Sequence, residues 1–189
     1  MTNKKNFSDA TRTLLKIASR YTIHPKWDNA TFQQIKAVPN TNIGDLGEEF
    51  VSDYCKALGF IIEVKKTRLG SFDRMINSKR VEIKTATEDV SGHFQFNHIR
   101  YEPKYEFDLL FCLGIAPNDI LFNVYRHADV ASMKEGQYKL DGCQGSVLPG
   151  HMTQFRTEKG TLNFKLTKDR DELRHIEELQ AVLTALFNE

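Results

Sequence analysis

The chain lacks any apolar run near the roughly 20 residues that a membrane-spanning helix needs. Its opening residues, MTNKKNFSDATRT, hold two lysines with no apolar stretch behind them, which does not describe a secretory signal. Cysteine is scarce: Cys55, Cys112 and Cys143 are odd in number, far apart and without a C-x-x-C pair. That excludes a disulfide framework and a thiolate zinc site, and it fits free thiols in a reducing compartment. The six histidines never fall at His-x-x-x-His spacing, so a histidine zinc centre is not expected either. Internal repeats and low-complexity tracts are absent, and the net charge is only +1. Charge alone therefore does not announce a nucleic-acid binder. With 40% apolar and 27% charged residues over 189, the expectation is a soluble cytoplasmic protein forming one compact domain.

What is present is uneven. From Val64 to Lys84 there are seven positive residues (Lys65, Lys66, Arg68, Arg74, Lys79, Arg80 and Lys84) against two negatives, Asp73 and Glu82. Residues 1–36 repeat that balance, seven positives against Asp9 and Asp28, while the segment from Lys168 onward is acidic. The near-neutral total hides two basic regions and an acidic tail.

Periodicity predicts the elements. Ser8–Tyr21 and Ile43–Leu58 read as helices, the second closed by Gly59. Short strands follow at Phe60–Lys65, Phe72–Ile76 and Arg80–Thr87, the last rich in β-branched residues. Thr87–Lys104 reads as loop plus a short helix. Phe107–Ile115 is a nearly continuous apolar run, as for a strand buried on both faces; Ile120–Tyr125 is another strand and Ala128–Lys134 a short helix. Residues 136–160 read as loops with a late hairpin at best, and Asp169–Phe187 as one amphipathic helix. This order gives an α/β domain with a mixed central sheet. Residues 1–40 are a helical segment, 41–127 the core, and 128–189 loops, a hairpin and a helix packed on it.

The chemistry concentrates in the hairpin. Glu82 lies nine residues after Asp73, and Lys84 two beyond, on the same strand face as Glu82. A short turn lets Asp73 lie beside Glu82. Two carboxylates placed together repel, and hard Mg²⁺ (or Mn²⁺ in its stead) relieves the repulsion using few carboxylates plus phosphate oxygens. Lys84 then serves the phosphate or the attacking water, and the parts suffice for hydrolysis of a phosphodiester.

The residues GDLGEEFVSDYCKALGF (Gly44–Phe60), SFDRMI (Ser71–Ile76) and VEIKTAT (Val81–Thr87) resemble the PD-(D/E)XK nuclease superfamily, over about 75 residues from Asn42 to Ile115. The resemblance implies a restriction-endonuclease-like core (αβββαβ), a mixed sheet flanked by helices. It implies that Asp73, Glu82 and the Ile83 backbone carbonyl hold a metal, with Glu48 of the first helix auxiliary. Helical geometry prefers Glu48 to Glu49, because Glu48 shares its side with Val51, Cys55 and Leu58. Two departures stand out. Phe72 replaces the proline that often precedes the family's first Asp. The Gln-x-x-x-Tyr element of the exonuclease branch is absent, since Gln95 is followed at that spacing by Ile99.

Lesser candidates surround this set. Lys65, Lys66 and Arg68 are placed to clamp backbone phosphates. Thr87, taken to share the face of Glu82, is a phosphate contact, and Gln95, Asn97 and Arg100 are DNA contacts in the polar stretch beyond. The implied activity is a Mg²⁺-dependent endonuclease acting on DNA, of the type II restriction kind. Cutting both strands of a duplex makes a homodimer the natural arrangement. The rival readings are a structure-selective repair, recombination or transposition nuclease, and an inert nuclease-like domain that only binds DNA.

Overall fold

The computed structural model describes residues 24–64, 72–100, 107–132, 138–140, 143–148, 152–156 and 162–188, with side chains over 24–63, 72–99, 107–129 and 165–188. The expected Ser8–Tyr21 helix lies outside them.

Among the described residues there are two sheets. In spatial order the larger holds β1 (Ile62–Val64), β2 (Arg74–Ile76), β3 (Lys79–Thr87), β5 (Leu109–Ile115), β6 (Ile120–Arg126) and β11 (Arg174–His175). The pair β3 and β5 is parallel, Val81 opposite Leu109 through Thr87 opposite Ile115, and the other neighbours are antiparallel. The second sheet is antiparallel throughout: β4 (His93–Arg100), β10 (Leu162–Asp169), β9 (Met152–Arg156), β8 (Cys143–Leu148) and β7 (Tyr138–Leu140). The helices are α1 (Gln33–Lys36), α2 (Asn40–Ala57), α3 (His127–Ser132) and α4 (Leu179–Phe187).

The core is cut in two by the central sheet. On one face Val51 and Cys55 of α2 and Leu179 and Leu183 of α4 pack with Val81, Ile83 and Phe111. On the other, Ala86, Leu110 and Cys112 meet Phe94, Phe96 and Ile99 of β4 and Leu166 of β10. All seven residues of β5 are buried, as its unbroken apolar run demands. Each large apolar side chain so buried contributes about 1.5–3 kcal/mol. The expected class holds: a mixed central sheet with helices packed on it.

Three segments differ from expectation. The Thr87–Lys104 crossover is built on strand β4 and not on a loop and short helix. His93–Asn97 alternates, with Phe94 and Phe96 wholly buried and Gln95 and Asn97 exposed, which is a strand period that the polar count obscured. The described residues within 136–160 form strands β7, β8 and β9, where loops with a late hairpin at best were expected. The Asp169–Phe187 helix is instead a 3₁₀ turn (Arg170–Glu172), β11, a second 3₁₀ turn (Ile176–Glu178) and α4. A capping box of Asp169 and Glu172 starts the first turn, and it ends at Leu173, whose extended backbone (φ −108°, ψ 152°) leads Arg174 into pairing with Phe122.

Helix α2 ends as its glycine dictates. Gly59 has a φ of 93°, and the Phe60 N–H donates to the Cys55 carbonyl at 3.0 Å, a Schellman closure. A second glycine sets how near α2 lies to the sheet. A methyl group on Gly47 would stand 1.8 Å from Thr85 Oγ1 and 2.9 Å from its Cγ2. Gly47→Ala should therefore destabilise the protein. Overpacking costs about 1–3 kcal/mol, against a helix-propensity gain of at most about 1 kcal/mol. Chemical denaturation checks this, and a variant at least as stable as the parent contradicts the close approach.

Candidate functional site

The site begins where β2 leaves β3. The two strands join through Asn77 and Ser78, both with positive φ (45° and 66°), so a two-residue turn fixes the register Arg74 opposite Val81. The last ladder bond runs from the Asp73 N–H to the Val81 carbonyl at 2.9 Å. Beyond it the chain departs, and the Asp73 carboxylate takes the place of the missing strand, Oδ2 accepting from the Ile83 N–H at 2.7 Å. A strand residue sends its N–H and C=O to the same edge. The Ile83 carbonyl therefore emerges on the Asp73 side. The next set of backbone groups turns to β5, as the Glu88 N–H does to the Ile115 carbonyl at 2.9 Å.

Glu82 and Lys84 alternate onto the face that looks towards the second sheet. Glu82 is 9% exposed, and Lys84 Nζ lies 2.5 Å from its Oε1. Burial pushes the Glu82 carboxyl above the ordinary range; Lys84 opposes this and Asp73 adds to it by repulsion and by a side-chain hydrogen bond. The two carboxylates are thus held together by the fold, and a full pair of charges there is unfavourable without a cation.

Glu48 reaches the same place from α2. It is half-buried where Glu49 is exposed. Its carboxyl is pushed up, first by burial and then by Asp73, while Arg74 pulls it back. Arg74 Nη1 donates to Glu48 Oε2 at 3.0 Å and to the Asp73 carbonyl at 2.9 Å. Its Nε donates to Ser52 Oγ at 2.8 Å, and Ser52 Oγ donates to the Glu48 carbonyl at 2.6 Å. One guanidinium thereby ties the helix to the backbone of Asp73.

Of these residues, Glu48, Ile83 and Lys84 line a cleft of about 530 Å³. Its floor is β3 from Ile83 to Thr87, one wall is the first half of α2 (Asn40 to Glu48), and the other is β4 with Gln95, Asn97 and His98. Thr87 lines the cleft but does not share the face of Glu82. Alternation puts it with Ile83 and Thr85, and its Oγ1 accepts from Lys36 Nζ at 2.8 Å. Lys65, Lys66, Arg68 and the Arg100 side chain lie outside the described residues.

Among the described residues no three His, Cys, Asp or Glu side chains converge to hold a metal by themselves. Two adjacent carboxylates and a carbonyl on one edge form a hard-oxygen set that suits Mg²⁺, which completes its shell with water and phosphate. Sequence reasoning missed Arg74 and Ser52. The available signals were an arginine inside the apolar strand Phe72–Ile76, and a serine one helical turn after Glu48.

No protein-family profile and no curated relative matches the chain. It is similar to the solved structure of a bacterial homing endonuclease at 14% identity and a TM-score of 0.39, over 56% of this chain and 82% of that one. That likeness is too slight to carry an argument.

The raised Glu82 carboxyl has a readable consequence. A carboxyl raised in the folded state contributes stability below its unfolded value, near 4.5, and loses it as pH rises through the folded value. Glu82→Gln, which resembles the protonated form, should match the parent near pH 4.5 in EDTA and become progressively more stable than it towards pH 8. Melting curves across that range test this; a difference that stays flat contradicts it.

Proposed function

We propose that this chain is a Mg²⁺-dependent endonuclease that hydrolyses DNA phosphodiester bonds, a member of the PD-(D/E)XK superfamily of the type II restriction kind. One observation carries the reading: Asp73 and buried Glu82 are forced together at β3, with Lys84 Nζ 2.5 Å from Glu82 and Glu48 reaching towards Asp73 from α2, and Lys84 and Glu48 line a cleft. A structural ion pair has no need of a second carboxylate, and leaving two beside each other costs stability.

Asp73, Glu82 and the Ile83 carbonyl would hold the metal, with Glu48 auxiliary and Mn²⁺ able to substitute. When bound, Mg²⁺ would polarise a phosphate oxygen and lower the pKa of a water. The protein's own groups do the rest. Lys84, beside Glu82, would orient the attacking water and the non-bridging oxygen. That water would form the new P–O bond in line as the bond to the leaving oxygen breaks, its proton passing to solvent while a proton from solvent neutralises the leaving group. Asp73 keeps its place through Ile83, and Arg74 holds Glu48 beside the Asp73 backbone.

Phosphate contacts fall to Thr87 and to the basic Lys65, Lys66 and Arg68, with Gln95, Asn97 and Arg100 along the DNA. Cutting both strands of a duplex would require two centres, hence a homodimer.

Incubating mixed-sequence plasmid with the protein and Mg²⁺ tests the reading, beside Asp73→Ala and Lys84→Ala. Discrete bands are expected, with a loss of at least about 100-fold in both variants, the scale on which a preorganised charged group acts. Discrete bands separate restriction-type cutting from a nuclease selective for branched DNA. Cleavage that survives both substitutions would sink the centre.

A further inference from the structure

The wall of the cleft contributed by β4 contains an irregularity in its pairing and alternation. Phe94 and Phe96 point into the core and Gln95 and Asn97 out, so strict alternation would send residue 98 inward. It does not. His98 adopts a φ of +58° and stays exposed, and Ile99 takes the buried position. The pairing with β10 shifts at this point: Leu166 faces Phe96 and Phe164 faces Ile99, so Lys165 alone opposes both Asn97 and His98. This is a β-bulge, the device that re-aims side chains beside functional sites. Here it brings two consecutive polar residues to the cleft that Glu48 and Lys84 also line.

Both side chains retain hydrogen-bonding capacity. Asn97 Nδ2 makes one long contact of 3.5 Å, to the Gln95 carbonyl, and the His98 ring has no hydrogen-bond or ion-pair partner among the described residues. A left-handed backbone at a non-glycine residue costs stability, and here it keeps His98 at the cleft while Ile99 fills the core. Neither side chain is a permanent cation, so neither is built chiefly for phosphate. An amide and an imidazole offer directional donors and acceptors, which is the chemistry of a base edge.

We propose that the Asn97–His98 bulge is the specificity-determining element of this cleft, contacting a base of the nucleotide beside the phosphate held at Asp73 and Glu82. The inference rests on the nuclease reading for its ligand. It is nevertheless testable by binding alone.

The experiment selects bound duplexes from a random-sequence 30-base-pair pool in EDTA and sequences them. Wild type is compared with the Asn97→Ala/His98→Ala double variant and with deletion of His98. The deletion leaves Asn97 outward and Ile99 inward, restoring regular pairing without disturbing the core. The wild type is expected to enrich a base at one or two positions. Both variants should lose that preference by roughly fivefold or more. The salt dependence of binding to one fixed duplex should stay unchanged, because base contacts release no counterions. Melting temperatures verify that the variants fold. Three results overturn the proposal: no base preference in the wild type, a preference that persists in both variants, or a salt slope reduced by about one in the double variant, which marks a phosphate contact. Plasmid cleavage by the same preparations reports separately on the nuclease reading, which can fail while base selection stands.

Discussion

The hydrogen bond from the Ile83 N–H to the Asp73 carboxylate, at 2.7 Å, sets the rest of the molecule's working geometry. Up to Val81, β2 and β3 are an ordinary antiparallel pair. A strand edge that simply stopped there would leave backbone groups unpaired, at a cost of about 1–3 kcal/mol for a buried one. The carboxylate satisfies the first of them, and so allows β2 to leave. The same bond fixes one Asp73 oxygen, so the position of the acid is decided by main-chain geometry and not by a free rotamer.

Charge is arranged around that opening in a consistent way. Asp73 acts on both Glu82 and Glu48, and a cation is tied to each glutamate: Lys84 to Glu82 and Arg74 to Glu48. Burial pushes both glutamates upward, and Asp73 adds to each. In the proposed reading a divalent cation would relieve this repulsion. Arg74 does more than neutralise. By bridging Glu48, Ser52 and the Asp73 carbonyl, it couples the angle of α2 to the hairpin. Gly47, pressed against Thr85, sets how closely that helix lies on β3.

How much of this the sequence disclosed depended on the range of the forces involved. The hairpin is local, and its turn and alternation are enough to put Asp73 near Glu82 and to pair Lys84 with it. The unbroken apolar run of β5 likewise announced its burial. Arg74 was not legible, because its three partners lie in α2 and at the preceding residue, and only the packed fold joins them. Strand β4 was misread because its polar residues outnumber its apolar ones, although Phe94 and Phe96 alternate. Thr87 was set on the wrong face by one step of register. The pair Asn97 and His98, two polar residues between inward Phe96 and Ile99, was itself the mark of a bulge, readable once the segment is taken as a strand.

The central claim is that Asp73 and Glu82 together form a cation site. Isothermal titration of Mg²⁺ into the protein, with Asp73→Asn and Glu82→Gln beside it, addresses that claim without requiring turnover or a known DNA sequence. The account predicts saturable binding in the wild type and a loss of affinity of about tenfold or more in each variant, the equivalent of about 1.4 kcal/mol. Equal affinity in all three proteins, or no binding in the wild type, would contradict it.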